Sequence, residues 1–112
     1  MDHRRALEFY LKAAELEVVT AYTMLGNVYS EGRGVAVDCA QALSWTRKGV
    51  AASDPVAVAN LANAYQTGCG VESDLAEARR LYEQAIAMGF AEAQQGLDEL
   101  DALAREVVPD RE

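Results

Sequence analysis

Apolar residues along the chain recur at helical steps, and the same kind of pattern recurs from one segment to the next. Ala6, Phe9, Tyr10, Ala13 and Ala14 are spaced by three and four residues and predict a helix over 3–16. A second helix is predicted over 20–31, with Ala21, Leu25, Val28 and Tyr29 on its buried side. A third covers 39–52 with Ala42, Trp45, Gly49 and Ala52 inward, and a fourth covers 56–67. A fifth, over 75–88, turns Ala78, Leu81, Tyr82 and Ala85 inward. The last, near 91–106, has one apolar stripe of Ala93, Leu97, Leu100 and Ala104 and leaves Asp98, Glu99, Asp101 and Arg105 for solvent. No stretch alternates as a half-buried strand does, so the expected class is all-α with six helices.

The pattern repeats with a period of 36 residues. Gly32-Arg33-Gly34-Val35-Ala36-Val37-Asp38 returns as Gly68-Cys69-Gly70-Val71-Glu72-Ser73-Asp74. The same step carries Ala21 to Ala57 and Ala93, Leu25 to Leu61 and Leu97, Asn27 to Asn63, and Tyr29 to Tyr65. Gly32 and Gly68 are placed to end a helix in the left-handed conformation. Asp38 with Gln41, and Asp74 with Glu77, have capping-box spacing at the next helix start. Ser53-Asp54-Pro55 is a further start signal. Gly26, inside a helix, implies close helix packing, since glycine there costs about 1 kcal/mol against alanine. Gly89 closes the fifth helix, but its earlier equivalent is Glu17, so that first connection is expected to differ in shape.

A fixed period of this length marks a solenoid in which each repeat stacks on its neighbours. The chain divides into an N-terminal half-repeat (1–20), two repeats (21–56 and 57–92), a C-terminal capping helix (93–108) and a tail (109–112). Asp2, in register with Asp38 and Asp74, is expected to cap the first helix. That helix has no preceding helix to cover it. Leu7 and Leu11 are therefore expected at an exposed edge suited to weak self-association.

Composition narrows the partners. Of the net charge of −8, residues 92–112 carry −5, seven acids against two arginines. Basic residues are scattered in pairs such as Arg4-Arg5 and Arg47-Lys48, which disfavours nucleic acid as a ligand. No apolar run approaches the 18 residues of a membrane span, and the start leads into no secretory h-region. Cys39 and Cys69 occupy different repeat positions, Leu75 and Arg33 being their equivalents; a repeated staple would recur with the repeat, so no disulfide framework is expected.

The run Ala-x-x-x-Leu-Gly-x-x-Tyr-x-x-Gly-x-Gly-Val-x-x-Asp-x-x-x-Ala over 21–42, repeated over 57–78 except for Ala62, resembles the Sel-1-like repeat family, a tetratricopeptide-like branch of helical repeats. The resemblance implies a right-handed superhelix of antiparallel helix pairs, the first helix of each pair lining the concave side. It also implies an adaptor or scaffold role in protein complexes. Some bacterial members carry a cysteine pair in each repeat. This chain lacks that pattern, and the expectation is a cytoplasmic protein.

Candidate chemistry is sparse. There is no H-E-x-x-H, C-x-x-C or P-loop, and the one histidine, His3, stands apart from any Cys or Ser motif. No catalysis, cofactor or metal is expected. Cys69 lies between glycines near a helix start, but its equivalent Arg33 shows the position to be the variable residue of the turn. A protein or peptide partner is expected instead, bound through polar residues on the concave side: Thr23, Asn27 and Ser30, then Asn63 and Gln66 (with Ala59 at the position of Thr23), then Gln95 and Glu99. Asparagine is a mediocre helix former, yet it stands at both 27 and 63, and its amide can donate to and accept from a peptide backbone. The same asparagines also suit an inter-repeat hydrogen bond or a solvated face. The alternative function is an acidic inhibitor or immunity-type protein that covers a basic partner.

Overall fold

A computed structural model describes residues 3–107. Six helices follow in order: α1 (His3–Glu15), α2 (Val19–Glu31), α3 (Cys39–Ala51), α4 (Pro55–Thr67), α5 (Leu75–Ala87) and α6 (Ala93–Val107). Among the described residues there is no strand. Among the described residues each helix packs on its neighbours in sequence, and beyond them only α2 on α4 and α4 on α6. The first helices of the repeats therefore form an inner row, while α1, α3 and α5 stand apart on the outside. The body is elongated, 55 × 29 × 24 Å. The cap expected from Asp2 and the tail from Pro109 lie outside the described residues, as does the side chain of Ala104.

The core is thin and rich in alanine. Leu25, Ala57, Ala62, Ala78 and Ala85 are fully enclosed, and Val58 and Leu100 nearly so. Small side chains let the helices come close. A Cβ on Gly26 would lie 2.5 Å from Thr46 Oγ1 on α3, which accounts for glycine inside α2. Ala52, expected inward, is exposed because α3 ends at Ala51 and position 52 already belongs to the turn.

The turns carry the repeat. Gly32 and Gly68 are left-handed (φ 73° and 80°) and donate to the carbonyls of Val28 and Ala64. Asp38 and Asp74 then cap α3 and α5, accepting from the N–H groups of Gln41 and Glu77 at 3.1 Å. The capping boxes are half-formed. The N–H groups of both aspartates are taken by the Tyr29 and Tyr65 carbonyls at 2.9 Å, so no side chain needs to reach back. The Glu77 carboxylate instead accepts from Arg80, which holds its pKa below the ordinary value. Between repeats, the N–H groups of Val18, Asp54 and Phe90 each donate at 3.0 Å to the carbonyls of Ala13, Gly49 and Ala85. That bond requires a left-handed residue just before it. Glu17 (φ 61°) and Ser53 (φ 64°) adopt the conformation of Gly89 (φ 108°), so the first connection has the same shape as the others after all.

Cys39 and Cys69 form a disulfide, with Cα atoms 5.1 Å apart. This corrects the expectation drawn from repeat register. The bridge runs from the first turn of α3 to the glycine turn of the next repeat, so its equivalent pair one repeat earlier is His3 and Arg33, and a bridge between non-equivalent positions need not recur with the repeat. The turn reaches α3 because Gly70 has no side chain: a Cβ there would lie 2.7 Å from the Cys39 carbonyl oxygen.

Two outcomes follow for stability. Closing a loop across 30 residues stabilises by about 3–4 kcal/mol in the chain-entropy account. Cys39→Ser/Cys69→Ser, or wild type in excess reductant, is expected to unfold at correspondingly lower urea. A thiol titration of the denatured, unreduced protein should find no free thiol; two titratable thiols would contradict the bridge. Asp74→Ala, which uncaps α5, is expected to cost about 1 kcal/mol by the same denaturation measurement.

Candidate binding groove

Where α2 and α4 run side by side over α3, their polar faces border a groove of about 410 Å³. Gly26, Asn27, Ser30 and Glu31 come from α2, and Asn60, Asn63, Ala64 and Thr67 from α4. Ala42, Leu43 and Thr46 of α3 form the floor, and Cys69 lies at one end. The position of the groove follows from the fold. First helices of successive repeats approach one another, and the small Gly26 and Ala42 leave space between them.

Asn27 and Asn60 join across the repeats, the Asn60 amide donating to Asn27 Oδ1 at 3.1 Å. Asn27 therefore makes an inter-repeat bond, with Asn60 rather than with Asn63. The bond leaves both amide N–H groups of Asn27, and the carbonyl oxygen and second N–H of Asn60, to bond elsewhere, donors beside an acceptor. The Asn63 side chain is exposed and has no hydrogen-bond partner among the described residues. Its own counterpart to Asn60 on the next helix is Gly96, where a Cβ would lie 2.4 Å from the Tyr82 ring.

The other residues expected to bind a partner are placed differently. Thr23 is buried and donates from its hydroxyl to Asp54 Oδ2 at 2.5 Å, while Asp54 Oδ1 accepts from the Val56 N–H at 3.0 Å. One carboxylate thus caps α4 and holds it to α2. Ser30 lines the groove and donates to the Asn27 carbonyl at 3.1 Å. Gln66 accepts from the Tyr82 hydroxyl at 2.9 Å, and burial followed by the nearby Glu99 raises the Tyr82 pKa. Gln95 and Glu99 are exposed on α6, bonded to each other at 3.5 Å, and do not line this groove. Asn60 and Thr46 were missed by sequence reading. Asn60 has Met24 and Gly96 as equivalents, so no repetition marked it out.

An α–α solenoid of 36-residue helix pairs with a polar inner groove defines a helical-repeat protein of the interaction-module kind. The chain belongs to the Sel1 repeat family, whose model matches residues 2–18, 19–54 and 55–90. Among solved structures it is similar to a Sel1 repeat protein from Oxalobacter formigenes (31% identity, TM-score 0.78), over 97% of this chain and 44% of that one. It is also similar to c5321, a protective antigen present in uropathogenic Escherichia coli strains displaying an SLR fold (37% identity, TM-score 0.69), over 80% of this chain and 19% of that one. Cysteine-rich protein B of Helicobacter pylori, at 23% identity and TM-score 0.72 over 85% of this chain and 71% of that one, shares the fold. The chain thus spans less than half the length of the first two. No curated protein matches it. Sel1 repeats are generally protein–protein interaction modules and non-enzymatic scaffolds. Among the described residues, no helix is long and apolar enough to cross a membrane.

Asp54→Ala removes the cap of α4 and strands the buried Thr23 hydroxyl, an expected loss of about 2–3 kcal/mol. Thr23→Val in the Asp54→Ala background should recover part of that loss, because the stranded hydroxyl is then gone. A double-mutant cycle by urea denaturation checks both numbers; additive losses would mean that the Thr23–Asp54 bond contributes nothing.

Proposed function

We propose that the protein is a non-enzymatic adaptor whose inner groove binds an extended peptide or partner loop. The Asn27–Asn60 pair carries this reading. With one bond between them, the two amides are held side by side, and the remaining donors and acceptor match the carbonyl and N–H of a peptide backbone. Asn63, one repeat on from Asn27, stands about one interhelical spacing away, 8–10 Å, or about three residues of an extended chain. Glu31 also lines the groove, its carboxylate already paired with Arg33 at 2.5 Å. The apolar part of the lining comes mostly from small residues such as Gly26, Ala42 and Ala64, so affinity for a single peptide is expected near micromolar, about −8 kcal/mol.

The Cys39–Cys69 bridge supports an oxidising compartment in place of the cytoplasm expected from sequence, because such bridges are rare where glutathione keeps thiols reduced.

The test is selection of extended peptides from a displayed random library, followed by anisotropy titration of a selected peptide. Asn27→Ala/Asn63→Ala is expected to weaken binding at least about fivefold, since each lost hydrogen bond is worth about 0.5–1.5 kcal/mol. Asn60→Ala should weaken it as well. Unchanged affinity in variants that fold normally would place the binding surface elsewhere. A collapse of binding at high salt, with the asparagines irrelevant, would favour the acidic inhibitor that covers a basic partner.

A further inference from the structure

The groove between α2 and α4 lies where the fold fills its own space one repeat further on. A step of one repeat carries Thr46 to Tyr82, Ser30 to Gln66 and Ala64 to Leu100. Tyr82 and Leu100 are core residues, 6% and 1% exposed, and the Tyr82 hydroxyl donates to Gln66 Oε1 at 2.9 Å. Three large side chains of the α4–α6 interface thus have small counterparts between α2 and α4. Asn60, in place of Gly96, gives back only part of that volume, and its amide is turned to Asn27. About 410 Å³ stays open, within the range of about 300–1,000 Å³ usual for small-ligand pockets. Walls and floor come from α2, α3 and α4, each packed on both of its neighbours in sequence.

The floor of this slot has a polar group with nothing to bond. Thr46 is 5% exposed, and its hydroxyl has no hydrogen-bond partner among the described residues. The other two hydroxyls of the lining are committed to their own helices. Ser30 donates to the Asn27 carbonyl at 3.1 Å and Thr67 to the Asn63 carbonyl at 3.0 Å. Thr46 Oγ1 instead faces Gly26, another residue of the lining. Buried polar groups are ordinarily paired, so this hydroxyl calls for a partner brought in by a ligand.

We propose that the slot takes a tyrosine side chain of the bound peptide, its ring among the small residues Gly26, Ala42 and Ala64 and its hydroxyl on Thr46 Oγ1. The inference rests on the reading of this groove as a peptide site and names the residue that the site selects. Between α4 and α6 the ring rises from the floor helix, and its hydroxyl ends on Gln66. A ligand enters from the open side and so arrives hydroxyl first, with Thr46 as the group it meets. Threonine and tyrosine hydroxyls each donate and accept, so one bond satisfies both. Phenylalanine would fill the slot and strand the Thr46 hydroxyl. Lysine or arginine would carry a charge to a floor that has no carboxylate, since Glu31 is exposed and paired with Arg33.

The probe is N-acetyl-L-tyrosinamide, with N-acetyl-L-phenylalaninamide as its control. Each is titrated into the isotope-labelled full chain to about 20 mM, because so small a ligand is expected to bind in the millimolar range. Binding is read by NMR from the side-chain amides of Asn27, Asn60 and Asn63. Wild type is expected to prefer the tyrosine probe by about three- to tenfold, the worth of one hydrogen bond. Thr46→Val keeps the shape and removes the hydroxyl, and should bring the two probes to within about twofold. Thr46→Tyr/Asn60→Gly copies the Tyr82 and Gly96 pair into this interface and should bind neither probe. Circular dichroism checks that both variants are folded, and the wild-type comparison does not depend on them. No binding of the tyrosine probe, equal affinity for the two probes, or a preference that survives Thr46→Val would each overturn the inference. None of these results touches the peptide reading, which stands or falls on Asn27→Ala/Asn63→Ala with a selected peptide.

Discussion

The stacking of the repeats depends on how closely each glycine turn seats on the start of the preceding second helix. A Cβ on Gly34 would lie 2.8 Å from His3 Cβ, and one on Gly70 would lie 2.7 Å from the Cys39 carbonyl oxygen. Both glycines have positive φ, so the turn needs glycine for its conformation and again for its proximity. With the turn seated there, the first helices α2 and α4 are drawn together while the second helices stay apart. The inner groove and the meeting of Cys39 with Cys69 both lie beside that approach.

Repetition and singularity divide the work between fold and site. Features that recur every 36 residues, such as the left-handed glycines, the capping aspartates and the three bonds from Val18, Asp54 and Phe90, define the backbone path. Polar contacts that tie successive first helices occur once each. Thr23 bonds Asp54, but the next repeat has Ala59 in place of Thr23. Asn60 bonds Asn27, but Gly96 stands opposite Asn63, where the Tyr82 ring takes the space. A solenoid built from near-identical turns can thus carry a groove whose polar lining differs from one interface to the next.

Much of this architecture was legible in the sequence because helix period, caps and repeat register are local properties. Asp38 and Asp74 announce their helices, and Gly32 and Gly68 end the preceding ones. What escaped were contacts that join different positions of successive repeats. The disulfide pairs position 39 of one repeat with position 69 in the next, so comparing equivalent residues conceals it. Asn60 was unmarked for the same reason. Glu17 was misread from the cost of a left-handed residue, about 1–2 kcal/mol, a conformation that Ser53 adopts as well. The backbone bond that each makes possible, from Val18 to Ala13 and from Asp54 to Gly49, offsets it. Leu7 and Leu11, expected at an exposed edge, are partly buried against Ala14, Ala21 and Leu25, while Phe9 is exposed. Helical period alone cannot say which neighbours cover a face.

The disulfide and the groove meet at one residue. Cys69 lies at the end of the groove and is tied to the first turn of α3, whose Ala42, Leu43 and Thr46 form the floor. One wall comes from α4, which Asp54 holds to α2 through Thr23, so the groove is anchored at the start of α4 by a hydrogen bond and just beyond its end by a covalent bond. In the proposed peptide-binding role, a groove lined by polar groups and small apolar side chains offers no deep apolar pocket, and affinity would rest on how little its side chains must be ordered on binding. The bond between Asn27 and Asn60, the Ser30 bond to the Asn27 carbonyl and the two anchors all reduce that ordering in advance. Rigidity of the groove is thus the property through which the inter-repeat contacts bear on recognition.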